Sequence, residues 1–322
     1  MPFHTGSASQ FRPDIALALE EYDLLADEAG YIAHRLLPVF ESTQQSAWFG
    51  RIPIEALLRN PEVKRAAGGA YNRDDFELTD DYFVTHDFGH EGVKDHREAK
   101  IYANWFGYET IIAARQRGIV MRAAEIRAAA ALFNAVTFSA HAVTNEWDDL
   151  ANATPIEDVE AAVRRVWAAT GLWPNVLAVN RMVFRNLRNC KQIIERIQSG
   201  GAGTATKPKD ITAEMLAQVF DLSELIVGGS PKNTANEAKA VSVASIWSDE
   251  YALVARVART ADLREPCLGR LIHWGEDGSQ IGGVFEDYPE DRVRGDLIRC
   301  RHDVVEKLLY VEAADLLSNI TT

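Results

Sequence analysis

Histidines and acids are concentrated in one short stretch, HDFGHEGVKDH, residues 86–96. The residue types able to ligate a metal there are His86, Asp87, His90, Glu91, Asp95 and His96. Imidazole nitrogens and carboxylates are common ligands of divalent metal ions. One hypothesis is therefore a metal-dependent hydrolase that uses His86, His90 and His96.

The spacing in this stretch weakens the metal hypothesis. Paired metal-binding histidines of the HExxH type depend on a helix that turns both rings to one face. The stretch contains no HExxH, and Gly89 and Gly92 disfavour a helix. We interpret it as a polar turn that joins a strand to a helix, with Asp95 as a candidate N-cap. We predict no catalytic residue, no bound metal and no cofactor.

Other motifs of enzyme chemistry are missing from the sequence. It contains no GxSxG, GxGxxG or GxxxxGK[ST] pattern. The glycines at 200, 201 and 203 lack an adjacent strand and helix, so we predict a flexible loop there. Cys190, Cys267 and Cys300 form no CxxC pair and no disulfide framework, which fits a reducing compartment.

Composition places the chain among folded soluble proteins. Its 322 residues are 47% hydrophobic and 25% charged, enough for one elaborate domain or two. The net charge of −13 argues against tight nucleic-acid binding, which depends on Lys and Arg at phosphates. It does not exclude a container that encloses nucleic acid. We see no signal peptide and no apolar run that approaches 18 residues.

One long helix organises the predicted fold. Residues 95–134 contain no proline, and apolar side chains recur there every seven positions: Trp105, Ile112, Ile119, Ile126 and Phe133. This pattern predicts an apolar stripe on a spine helix from about 97 to 133, roughly 55 Å long. Gly107 and Gly118 weaken the helix and predict a bend or a break.

The regions on either side of this helix differ in character. The sequence of residues 48–94 predicts a long extended segment with little hydrophobic core of its own, which suggests that a neighbouring subunit covers it. Ala135–His141 alternates enough for a strand. Residues 151–260 predict a mixed α/β lobe, with a helix that begins at Thr154-Pro155 and ends at Gly171. The tail is β-rich, and we expect its last strand at Lys307–Glu312.

Six patches of sequence carry a resemblance to a known family. They are RAAEIRAAAALFN (122–134), NVLAVNRMVFRNLRNCKQIIERI (175–197), ITAEMLAQVFDLSELIVGGS (211–230), SIWSDEYALVARVA (245–258), CLGRLIHW (267–274) and VRGDLIRCRHDVVEKLLYVEAADLLSNI (293–320). In this order the chain resembles the major capsid (coat) protein of tailed bacteriophages, the Hong Kong 97 type fold. The patches cover about a third of the chain, and the specificity lies in their order and spacing.

The resemblance implies an α+β fold with named regions. These are an N-terminal arm at 1–47, an extended E-loop at 48–94, a peripheral P domain at 95–150 and 261–322, and an axial A domain at 151–260. The terminal strands would pack back on the spine helix. Lys64 lies in the E-loop, but no partner for a covalent crosslink stands out, so we assign no crosslink.

The resemblance also implies a function and partners. The chain would assemble with itself into pentamers and hexamers of an icosahedral shell around double-stranded DNA, without sequence-specific binding and without a membrane. Separate scaffolding, portal and decoration proteins are possible partners. The location would be the virion capsid, assembled in the host bacterial cytoplasm. An encapsulin-like nanocompartment shell protein is the alternative within the same fold.

Overall fold

The structure, a computed structural model, describes residues 10–11, 30–51, 53–65, 67–73, 75, 78–102, 107–199, 208–236 and 239–321. The helices are α1 Ala33–Leu36, α2 Ile54–Leu58, α3 His96–Tyr102, α4 Tyr108–Leu132, α5 Pro155–Thr170, α6 Arg181–Asn189, α7 Lys191–Ser199 and α8 Ala213–Val219. Short 3-10 helices lie at Pro208–Asp210, Asp291–Val293 and Val311–Ala313. In the described part of the chain, no helix is long and apolar enough to cross a membrane.

The strands form two larger sheets and two small ones. They are β1 Gln10–Phe11, β2 Val39–Ser42, β3 Ser46–Arg51, β4 Thr79–Val84, β5 His86–Asp95, β6 His141–Ala142, β7 Val176–Asn180, β8 Glu224–Gly228, β9 Pro231–Asn233, β10 Val243–Ser245, β11 Ala252–Ala255, β12 Gly269–Trp274, β13 Val284–Glu290, β14 Gly295–Leu308 and β15 Ala314–Ser318. The mixture of helices and sheets confirms the α+β prediction.

Strand β14 is the centre of the first sheet, whose order is β1-β13-β14-β12-β2. Its first half pairs with β13 and its second half with β12, both antiparallel. On the other side β5 pairs with β14 from His86 opposite Val304 to Asp95 opposite Gly295. The 86–96 stretch is thus mostly a strand, and the predicted turn is wrong. Its polar residues suit a strand because both faces of β5 are partly exposed and the sheet satisfies its backbone.

Helix α4 packs across β5 and β14. Ile112 and Val120 form a small core with Phe285, Ile298 and Cys300. The approach is close at Gly92, where a Cβ would lie 2.7 Å from Cγ2 of Ile112 and would also clash with Gln116. A residue without a side chain is therefore required for the helix to reach the sheet.

The long helix is confirmed over Tyr108–Leu132, and so is the predicted break at Gly107, while the predicted bend or break at Gly118 is wrong. Helix α3 ends at Tyr102 and α4 begins at Tyr108 after Gly107, whereas Gly118 lies inside an uninterrupted helix. The predicted stripe is wrong for Ile126, which is 37% exposed, while Ala128 and Ala129 are buried. A strict seven-residue repeat drifts about 20° per heptad around a straight helix, so its far end leaves the buried face. Trp105 lies outside the described residues.

The second sheet has the order β6-β15-β11-β7-β8. Its central strands β7 and β11 are fully buried, and helix α5 packs beside them. Local signals hold here: Gly171 adopts a left-handed φ of 68° after α5, and the side chain of Asn180 accepts a hydrogen bond from the backbone of Met182. Thr154 precedes α5, but its side chain makes no capping hydrogen bond.

Several strand predictions in this part of the chain are wrong. Residues 135–139 form turns, and only His141–Ala142 is a strand. The last strand is β15 at Ala314–Ser318, not Lys307–Glu312, because β14 ends at Leu308 and the chain turns through Val311–Ala313. β15 pairs with β11 in the second sheet, so of the terminal strands it is β14 that packs on α4. The predicted loop glycines 200, 201 and 203 lie outside the described residues.

Candidate assembly surfaces

The three histidines of the metal hypothesis have separate partners. The ring of His90 hydrogen-bonds Gln116 of α4, and Nε2 of His96 lies 3.4 Å from Oδ2 of Asp296. His86 and His90 share one face of β5, but four residues of strand separate them by about 13 Å. Within the described residues, no group of three or more His, Cys, Asp or Glu side chains is placed to hold a metal ion. The histidines therefore do not converge.

Asp95 performs the helix-capping role predicted for it. Its Oδ1 accepts hydrogen bonds from the backbone N–H groups of Arg97, at 2.6 Å, and Glu98, at 3.2 Å. These two bonds lower the pKa of the Asp95 carboxyl. The carboxylate thus satisfies two backbone N–H donors in the first turn of α3, which have no acceptor within the helix because no helical turn precedes them.

A group of exposed apolar side chains lies on the segment between β3 and β4 and on the outer face of these strands. Trp48 and Tyr82 stand opposite each other across the antiparallel pair, with ring centroids 5.1 Å apart. Trp48 is 76% exposed and Tyr82 is 54% exposed. The other large apolar side chains exposed along this segment are Leu58, Val63, Tyr71, Leu78 and Val84. A surface this apolar is typical of a site that another protein covers.

The inner face of the same strand pair is anchored on the chain itself. Phe49 packs against the cluster of Ala258, Cys267 and Leu309, and its ring lies 6.4 Å from that of Phe83. Nζ of Lys307 on β14 lies 2.6 Å from Oδ1 of Asp81. Alternation along a strand thus divides one buried face from one free apolar face.

The corner between the two sheets lies at a single residue. Thr85, which is buried, separates β4 from β5, and its backbone N–H donates to the carbonyl of Gln45 at 3.0 Å. Among the described strands β4 pairs only with β3, whereas β5 belongs to the sheet of β14. The chain therefore changes sheets at Thr85.

A buried carboxylate joins three segments that are distant in the sequence. Glu125 of α4 accepts hydrogen bonds from the backbone N–H groups of Ile32 and Ala33, at 2.7 and 3.1 Å, and from the indole of Trp247. Burial raises the pKa of Glu125. The group closes the start of α1 and ties it to α4, an arrangement that the sequence pattern did not predict.

Ion pairs line the face of the first sheet that turns away from α4. Glu286 of β13 pairs with both Arg299 and Arg301 of β14, and Arg301 also pairs with Asp277. These partners are separated by 13 to 24 positions in the sequence, so the only local signal for them was the alternation of side chains along each strand. On the opposite face of β14, burial lowers the pKa of His302 to about 4.

Comparisons of sequence find no relative. No family model matches the chain. No curated protein matches it either.

Comparisons of structure find many similar structures. A phage-related protein from Bordetella bronchiseptica has a TM-score of 0.67 and 19% identity, with 97% of this chain and 98% of that chain covered. The capsid of the cyanophage P-SCSP1u has a TM-score of 0.59 and 9% identity, with 88% and 86% covered. A virus-like particle from Pyrococcus furiosus has a TM-score of 0.56 and 13% identity, with 95% and 98% covered. The chain therefore has the Hong Kong 97 type fold of phage capsid proteins.

Proposed function

We propose that the chain is a structural capsid shell protein of a tailed phage or phage-like particle. It assembles with itself into the pentamers and hexamers of an icosahedral shell that encloses double-stranded DNA. The observation that carries this proposal is the shared fold with the cyanophage P-SCSP1u capsid over 88% of this chain, and with the phage-related Bordetella protein over 97% of it. The chain has no catalytic role in this proposal.

The outer face of the β3–β4 pair supports an assembly role. Its base is fixed by Phe49 and by the Lys307–Asp81 ion pair, while Trp48 and Tyr82 face solvent in the single chain. Such an anchored segment with a free aromatic face is suited to bind a second subunit. Burial of the two rings would stabilise the contact, and the base of the segment is already ordered, so binding costs less conformational entropy.

The proposal includes a division of the chain into regions. Residues 1–47 are the arm, 48–94 the E-loop, and 151–260 the A domain. Residues 95–150 and 261–322 form the P domain, except that β6 (His141–Ala142) and β15 (Ala314–Ser318) pair within the sheet of the A domain. The net charge of −13 fits a shell that encloses DNA without gripping it.

The proposal also gives a location and partners. The location is the virion capsid, with assembly in the host bacterial cytoplasm. Separate scaffolding, portal and decoration proteins would act with the shell.

The direct test is the size of the purified full chain. We expect shells of megadalton mass in sedimentation velocity and closed particles in negative-stain microscopy. A chain that stays monomeric across the whole concentration range would contradict the proposal. Small cages loaded with an enzyme cargo would instead identify an encapsulin-like compartment.

A deletion tests the role of the extended segment. Removal of residues 60–80 is expected to leave a folded chain, with unchanged circular dichroism, that no longer assembles. These residues contribute none of the buried core of either large sheet in the described part of the chain. Complete unfolding of the deletant would count against the assignment.

A further inference from the structure

Three basic side chains surround one cavity at the end of the first sheet. Arg97 and Lys100 lie on α3, and Arg294 lies in the turn before β14. With Asp95 and His96 they line a cavity of about 480 Å³. The side chains of Arg97, Lys100 and Arg294 are exposed, and none of them makes a hydrogen bond or an ion pair to another described residue.

The one carboxylate in this cavity is already engaged. Asp95 accepts the two backbone hydrogen bonds at the start of α3. Against its single charge stand three cations, so the cavity is positive within a chain of net charge −13. Clustered cations repel one another unless an anion is bound between them, and the arrangement therefore favours an anionic ligand.

Unpaired acids lie at the same end of the molecule. Glu290 ends β13, and Asp291 begins the 3-10 turn that leads to Arg294. Neither side chain makes an ion pair with a described residue, and Asp291 is exposed. Glu290 and Asp291 belong to the same β13–β14 turn as Arg294, so acids and bases lie side by side at this end of the molecule.

We propose that this cavity is a carboxylate-binding site occupied by the β13–β14 turn of a second copy of the chain. The inference rests on the proposed self-assembly. Glu290 and Asp291 of one copy would pair with Arg97, Lys100 and Arg294 of the next. Since every copy carries both patches on one tip, copies arranged around a rotation axis satisfy all of them in a closed ring.

Carboxylates fit this site better than nucleic-acid phosphates do. A phosphate backbone is bound by cations spread along its path. Here the cations converge on one cavity of about 480 Å³ instead of following a path. Such a cavity suits single carboxylates, which any second copy supplies from its 47 acidic residues.

The test uses charge reversal in the full chain. The variant Arg97→Glu/Lys100→Glu is expected to raise the protein concentration needed for half-maximal assembly by about tenfold, measured by sedimentation velocity. The matched control Arg115→Glu/Arg122→Glu makes the same charge change on exposed positions of α4. Circular dichroism establishes that each variant is folded.

A charge swap tests the named partner. Asp291→Arg and Arg294→Asp should each weaken assembly. The two together should restore it at least in part, because the ion pair between copies forms again with the acid and the base exchanged. Higher salt should weaken wild-type assembly more than that of the pocket variant.

The outcomes separate the two proposals. Equal assembly of the pocket variant and the control overturns this inference, while shells formed by the wild type leave the proposed function standing. A pocket variant that assembles normally but retains less DNA or inorganic phosphate also overturns it, in favour of a phosphate ligand. A wild-type chain that never self-associates overturns both.

Discussion

The indole Nε1 of Trp247 donates a hydrogen bond of 2.7 Å to Oε1 of Glu125, and both side chains are buried. The ring of Phe133 packs edge-on against Trp247 at a centroid distance of 5.0 Å. Glu125 also closes the start of α1 through Ile32 and Ala33. This contact fixes the helix α4 to segments 93 positions before it and 122 positions after it in the chain.

Replacement of this carboxylate should destabilise the fold. In Glu125→Gln the new amide group places donors against the N–H groups of Ile32, Ala33 or Trp247. We expect a loss of about 1–3 kcal/mol in the free energy of unfolding, measured with urea, because a buried donor loses its acceptor. The control Glu160→Gln, at an exposed ion pair with Arg164, should change stability by less than about 0.5 kcal/mol. Equal effects would contradict the role of Glu125.

Two glycines of the α4 region should respond in opposite directions to alanine. At Gly92 a Cβ meets Ile112 and Gln116, so Gly92→Ala should cost about 1–3 kcal/mol by forcing α4 from the sheet. At Gly118 a Cβ meets nothing within 4 Å, so Gly118→Ala should stabilise the helix by up to about 1 kcal/mol. Thermal unfolding of both variants checks this, and destabilisation by Gly118→Ala would contradict an uninterrupted helix there.

Acid should weaken the fold through His302. Burial lowers its pKa from 6.5 to about 4, so the folded chain holds the ring neutral while the unfolded chain protonates it. The stability from this group is complete above about pH 6.5 and is lost as the pH falls towards 4, about 3 kcal/mol in total.

The variant His302→Phe removes this titration and keeps a ring beside Phe88. Urea unfolding between pH 6.5 and 4 should show a shallower loss of stability for His302→Phe than for the wild type. The control His96→Gln removes an exposed histidine and should retain the wild-type slope. Identical slopes for wild type and His302→Phe would show that other groups govern the acid response.

Adjacent residues on β3 should separate assembly from folding. Trp48→Ala removes an exposed ring and should weaken assembly with little change in the free energy of unfolding. Phe49→Ala removes a ring packed on Ala258, Cys267 and Leu309 and should cost about 2–4 kcal/mol of stability. Sedimentation and urea unfolding of each variant measure the two effects. Normal assembly of Trp48→Ala would exclude its ring from the contact.

Local chemistry made part of this fold predictable. Gly171 ends α5, Asn180 and Thr212 begin helices with side-chain hydrogen bonds, and Val176–Asn180 is a short buried strand. Each of these features can be recognised from a few consecutive residues, because the capping group and its partner are neighbours in sequence.

Long-range pairing explains what the sequence could not reveal. The 86–96 stretch looks like a turn alone and becomes a strand only beside β14, which lies about 200 positions later. Gln116 and Glu125 are buried polar residues of α4, so an apolar pattern could not identify its inner face. Their partners His90 and Trp247 come from other segments. The sequence predicted an extended segment at 48–94 for a neighbouring subunit to cover, but it did not reveal the pairing of Trp48 and Tyr82 across two strands.

The corner at Thr85 has a mechanical consequence. β5 is held along its whole length by β14, so β5 moves only with the first sheet. The β3–β4 pair has no other strand partner in the described residues and is held by a few side chains near Leu309 and Lys307. A change in the angle between the β3–β4 pair and the first sheet is therefore concentrated at Thr85 and Gln45. Such a change would let identical subunits contact neighbours at different inclinations while each sheet stays rigid.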